Sequence, residues 1–261
     1  MIGPALAVYL MSQFFSLTFI SCIFLACTSF LLYAIVKKNF SRSSTQELYI
    51  KTNKGFVEEV KILKILASKV WPLILFEVSC ALYDVLFWTV GILFAEKLRT
   101  QSSLGGLFMT VYGIPALFAG YLASLPHSPL GKKRAAFLYA IFAGVGTVII
   151  GLSSNILLIL LFVLLSSTAL SITVVLNSAV FQDYVARLKT FGNDMTSLSL
   201  FSSNLAYFVG PIVLGFISQN YGYENTFKFT GIFVTAIALF SLLIVPRKIK
   251  MPQTELITQL A

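Results

Sequence analysis

Two stretches of the sequence, FFSLTFISCIFLACTSFLLYAIV (14–36) and ILLILLFVLLSSTALSITVVLNSAVF (156–181), run without any charged residue. A helix needs about 20 mostly apolar residues to cross the hydrocarbon core of a bilayer. In that core only helices and closed barrels satisfy their own backbone groups. The polar-in, apolar-out alternation of barrel strands is missing here. The chain is therefore read as all-α and polytopic. Polar breaks set off further spans at Val70–Ala95, Gly105–Leu125, Ala135–Leu152, Ile156–Phe181, Met195–Ser218 and Phe227–Val245. Short connections make successive spans antiparallel.

Composition agrees, with 11% charged residues where soluble domains carry about a quarter. The net charge of +9 could suit a polyanion, but its distribution argues against nucleic acid as a partner. Sixteen of the nineteen Lys and Arg fall in 37–69, 126–134, 182–194 and the tail from Arg247, leaving only Lys97, Arg99 and Lys228. Bias of this kind orients helical membrane proteins with the basic loops in the cytoplasm. It predicts an integral protein of the plasma membrane with a cytoplasmic C-terminus. Cys22, Cys27 and Cys80 lie in apolar runs without CxxC spacing, and His127 stands alone. No metal site or cofactor is expected. In FVEEVKILKILASK (56–69), Phe56, Val60, Leu63 and Ala67 share one face and the charges lie opposite. That is the pattern of a helix at the membrane surface leading into the next span.

The two ends of the chain resemble each other. GPALAVYLMSQ begins at Gly3 and GPIVLGFISQ at Gly210; each reaches Ser-Gln, then one aromatic-rich span closed by a basic pair, Lys37-Lys38 or Arg247-Lys248. Proline bends a membrane helix and glycine admits a close neighbour. Six spans separate the copies, so both run the same way through the bilayer, as in carriers built from parallel repeats.

The layout resembles the major facilitator superfamily. NLAYFVGPIVLGFISQNYGYENTF (204–227) is similar to that family's eleventh helix, with Asn204, Gly210, Pro211 and Gly215. GYLASLPHSPLGKKR (120–134) is similar to its Gly-x-x-x-Asp-Arg-x-Gly-Arg-Arg loop, keeping Gly120, Gly131, Lys132, Lys133 and Arg134. It departs at Ser124, where the family often has aspartate, and by extra residues that include Pro126 and Pro129. The resemblance implies four parts: the end of a fifth helix and a sixth over 1–36, a cytoplasmic linker over 37–69, a six-helix C-terminal half over 70–246, and a tail over 247–261. It implies alternating-access transport of a small solute, with an N-terminal half missing or supplied by a second chain. The alternative is a half-size remnant that transports nothing alone.

Only one span carries two carboxylates. Glu77 and Asp84 are seven residues apart, about two turns on one helical face, and Trp88 continues that face. Counted from Lys69, Asp84 falls near the midplane and Glu77 in the inner half. An acidic residue at bilayer depth costs about 2.5–3.5 kcal/mol on insertion scales, so it faces a partner or a cavity. The functional reading is proton loading and release; the structural one is hydrogen bonding to nearby Ser, Thr or Asn. The resemblance makes this span the seventh helix, a cavity-lining one. Asn177, Asn204 and Tyr112 are further candidates for the cavity, against a packing role. Asp183 and Asp194 are read as ion-paired with Arg187 and Lys189 at the cytoplasmic edge, and Gly144 and Gly146 as close-packing positions.

The enzyme alternative is an intramembrane aspartyl protease, from Tyr83-Asp84, Pro115–Leu117 and Asp194. Its elements come in the wrong order and Gly-x-Gly-Asp is absent. Its chemistry would need Asp84 and Asp194 to share a proton inside the bilayer. No catalytic residue is assigned.

Overall fold

The structure is a computed structural model that describes residues 23–24, 27–30, 56–124, 131–188 and 191–246. The chain divides into two compact units, Met1–Asn53 and Lys54–Ala261. In the first, residues 23–24 and 27–30 are helical and the rest, with the Gly3-Pro4 copy of the repeat, lies outside the described residues. The division falls inside the 37–69 stretch.

The second unit is all helix among its described residues. It comprises α1 (Phe56–Leu86), a π-helical turn (Phe87–Gly91), α2 (Ile92–Gln101), a 3-10 turn (Ser103–Leu107), α3 (Phe108–Ser124), α4 (Lys132–Leu152), α5 (Ile156–Leu188), α6 (Gly192–Tyr221) and α7 (Tyr223–Ile244). Among the described residues six segments are long and apolar enough to cross a membrane, the first being α1, the π turn and α2 taken together. They answer to the six spans read between Val70 and Val245.

Residues 56–69 continue into the first span without a break. They bury Ile62, Leu66 and Val70, one stripe along the helix, and leave Val60 exposed. At 1.5 Å per residue the 31 residues of α1 run about 47 Å. That exceeds the hydrocarbon thickness, so its first turns lie beyond it. The fourth span is also longer than its apolar stretch suggests. Gln182–Leu188 extend α5 as helix, because none of these residues breaks a helix and Tyr184 and Leu188 are buried.

Glycines set the closest helix contacts. A Cβ on Gly144 of α4 would meet the Gly231 carbonyl of α7 at 2.8 Å, and one on Gly231 would meet the Gly144 carbonyl at 2.6 Å. A Cβ on Gly146 would lie 3.0 Å from Ser166 Cβ on α5. The α1–α6 contact is set by Gly210, whose added Cβ would stand 2.9 Å from Val85 Cγ1. An aromatic knot packs next to these contacts: Phe87, Phe94, Phe108 and Phe227 are almost wholly buried, with Phe87 and Phe227 edge to face at 5.3 Å. The helices α3 and α6 bury the least of their spans, 22% each, against 61% for the first.

Candidate functional site

Pro72 aside, α1 carries no residue that disturbs its 3.6-residue period, so Glu77 and Asp84 stand in line along one side of it. Both are half-buried. Each is met by groups from two other helices. Asn177 Nδ2 of α5 donates to Glu77 Oε2, and Ser203 Oγ of α6 donates to Glu77 Oε1 at 2.7 Å. Tyr112 of α3 donates its phenol to Asp84 Oδ1, while Tyr207 of α6 donates to Asp84 Oδ2 at 2.5 Å. All four donors are neutral. The two oxygens of each carboxylate are thus satisfied while the negative charge is not cancelled.

The pairings explain themselves from register. Ser203, Tyr207 and Gly210 share a face of α6 at helical spacing, and α6 runs parallel to α1. Glu77 therefore meets Ser203, Asp84 meets Tyr207, and Val85 meets Gly210. Tyr112 is held by a stacked ring: Phe87 lies 4.0 Å from it, centroid to centroid, with planes 8° apart. Trp88 stands edge-on to Tyr112 at 6.3 Å and keeps 37% of its surface exposed. The widened π turn begins immediately beyond Leu86 and carries both Phe87 and Trp88.

Of the residues singled out by sequence, Glu77, Asp84, Trp88, Tyr112 and Asn177 come together here. Asn204 does not. It is exposed and takes no part in either carboxylate cluster, because one residue along a helix is a rotation of about 100° and Ser203 holds the inward position. Ser203 and Tyr207 escaped the sequence reading; their four-residue spacing, continued three further by Gly210, is the signal that could have found them.

Fold and site geometry lead to the comparison with known proteins. A family model described as Major Facilitator Superfamily matches residues 78–258. The chain belongs to the major facilitator superfamily. No curated relative and no solved structure matches it. As a member of this superfamily of transporters it is an integral membrane protein; Asp84 lies inside the matched region and Glu77 one residue before it.

The loop that resembles the superfamily's motif is described over 120–124, the end of α3, and from Gly131 onward. Gly131 has φ +82°, which costs other residues about 1–3 kcal/mol. Gly120 and Gly215 have open space around them, so neither sets a close approach within the described residues; Pro211 is exposed on α6. Lys132 Nζ, at the start of α4, pairs with Asp183 Oδ2 at 3.2 Å, a partner beyond the Arg187 and Lys189 read from the sequence. Lys133 Nζ donates to the Pro246 carbonyl at 2.6 Å and Tyr184 OH at 3.3 Å, while Arg134 is half-buried. At the opposite end Lys97 Nζ meets Glu224 Oε1 at 2.5 Å.

The aspartyl-protease arrangement is not formed. Asp84 meets α6 at Tyr207, whereas Asp194 is in that helix's first turn, thirteen residues earlier and so about 20 Å away along the axis.

Proposed function

We propose that the chain is the C-terminal half of a secondary transporter that moves a small solute by alternating access, with Asp84 and Glu77 as its proton-loading groups. The observation that carries this is the pair of half-buried carboxylates on one line of α1, each held by neutral donors from two other helices. A carboxylate so placed keeps its charge available to a proton, whereas an ion-paired one does not. The resemblance to the superfamily, in which a midplane site is worked by two halves rocking against each other, supports the same reading.

The half-bundle needs a partner. Facing lipid, the two carboxylates would each cost about 2.5–3.5 kcal/mol, and α3 and α6 leave most of their spans open. A second six-helix half, from a longer form of this protein or from another chain, covers that face. The sidedness set by the basic loops places Lys132 and the C-terminus in the cytoplasm and Lys97 outside.

The direct test is proton binding by the detergent-solubilised chain, titrated between pH 5 and 9 with an indicator dye. Asp84→Asn and Glu77→Gln are each expected to take up about one proton fewer than the unsubstituted chain. Uptake unchanged by both substitutions would remove the carboxylates from the mechanism.

A further inference from the structure

The surroundings of Asp84 say what else can compete for its charge. Its two oxygens accept from Tyr112 and Tyr207, and no positive group is among the donors. Three aromatic side chains from three elements converge there. Tyr207 keeps 47% of its surface exposed and Trp88 37%, while Tyr112 is buried behind them. Phe87, stacked on Tyr112, fixes the ring from the rear. Trp88 is placed unusually as well. Tryptophan in membrane helices concentrates at the interfaces, yet this one follows Asp84 by four residues in the middle of its span, with part of its indole uncovered.

A negative charge flanked by two partly exposed aromatic side chains, Trp88 and Tyr207, suits a cation. An anion would meet an uncancelled carboxylate. A hard divalent metal wants six or more oxygen ligands, and no group of three His, Cys, Asp or Glu occurs among the described residues. A cation of low charge density with an apolar body gains from both parts. Its charge is met by the carboxylate and by ring faces, and its body is taken out of water by the indole and phenols.

We propose that the wall formed by Asp84, Trp88, Tyr112 and Tyr207 binds a monovalent organic cation, a protonated amine or quaternary onium, with its charge at Asp84. This rests on Asp84 being a loading group of the transport site. The carboxylate cannot hold the cation and a proton together, so the two exchange at one acceptor.

The probe is tetraphenylphosphonium, measured by equilibrium dialysis against the detergent-solubilised full chain. Tetraphenylborate has nearly the same shape with the opposite charge. Saturable binding of the cation is expected, weakened about tenfold by Asp84→Asn and several-fold by Trp88→Ala, with tetraphenylborate insensitive to either change. Binding is also expected to fall as pH is lowered, and Asp84→Asn should abolish that dependence. Variants are compared only where thermal unfolding and gel filtration match the unsubstituted chain; Tyr207→Phe, which keeps the ring, supplies a milder second variant and should retain most of the binding. Equal binding of both probes, or cation binding untouched by Asp84→Asn, overturns the assignment. If the titration above still loses one proton with Asp84→Asn, only the ligand class has failed. If that titration is unchanged too, the transport reading fails with it.

Discussion

At the scale of single residues, the site depends on a rotation. Ser203 faces Glu77 and Asn204 does not, although the amide is the stronger polar signal in the sequence. Removing the Tyr207 hydroxyl with Tyr207→Phe leaves Asp84 Oδ2 without its donor. A hydrogen bond to a charged group contributes about 1.5–3 kcal/mol, and the exposure of Tyr207 pulls the expected loss to about 1 kcal/mol in thermal or denaturant unfolding. Asn204→Ala is expected to change stability by less than about 0.5 kcal/mol; a loss equal to that of Tyr207→Phe would show that the wrong residue has been placed inward. Glu77, Asp84, Asn177 and Tyr112 were legible because a carboxylate or amide in a span is costly and a Tyr near Pro115 stands out. Ser203 and Tyr207 were not, since the chain holds 11 tyrosines and only the register of α6 on α1 tells which of them points at an aspartate.

At the scale of elements, glycine contacts decide which helices touch. Putting leucine at Gly144 or Gly231 forces the α4 and α7 backbones apart, because the first added carbon already meets a carbonyl at under 3 Å. Such overpacking costs about 1–3 kcal/mol, and Gly215→Ala, with nothing nearby, should cost far less. Unfolding in mixed detergent checks the contrast, and equal effects would mean that α4 and α7 do not pack through these glycines. Close packing at Gly144 and Gly146 could be read from sequence, as could the six spans. Their ends could not always be. The extension of α5 through Leu188 depends on tertiary burial of Tyr184 and Leu188, and a π turn of five residues leaves no mark in an apolar run.

At the scale of the whole molecule, exposure means two different things. Leu243 is 84% exposed on α7, the outward side of a packed pair, whereas Tyr207 is 47% exposed where it meets Asp84. In a chain whose native cysteines are replaced by alanine and which is placed in vesicles, Tyr207→Cys should react with a water-soluble maleimide and Leu243→Cys should not. The reverse pattern would put lipid on the carboxylate side and contradict the proposed covering by a second half. Cysteines at Lys97 and Lys132 should likewise react from opposite sides of the membrane. The general architecture was open to sequence reading because hydrocarbon length and loop charge govern it directly. How α3, α5 and α6 gather around α1 was not, because that depends on contacts between residues up to 126 positions apart.

Asp84 joins α3 to α6, the two helices with the least packing of their own, by giving one oxygen to each phenol. Once an oxygen bears hydrogen it donates where it had accepted, and the phenol facing it must change from donor to acceptor. A chemical event the size of a hydrogen atom thereby reverses the polarity of one of the two links that tie these rods together.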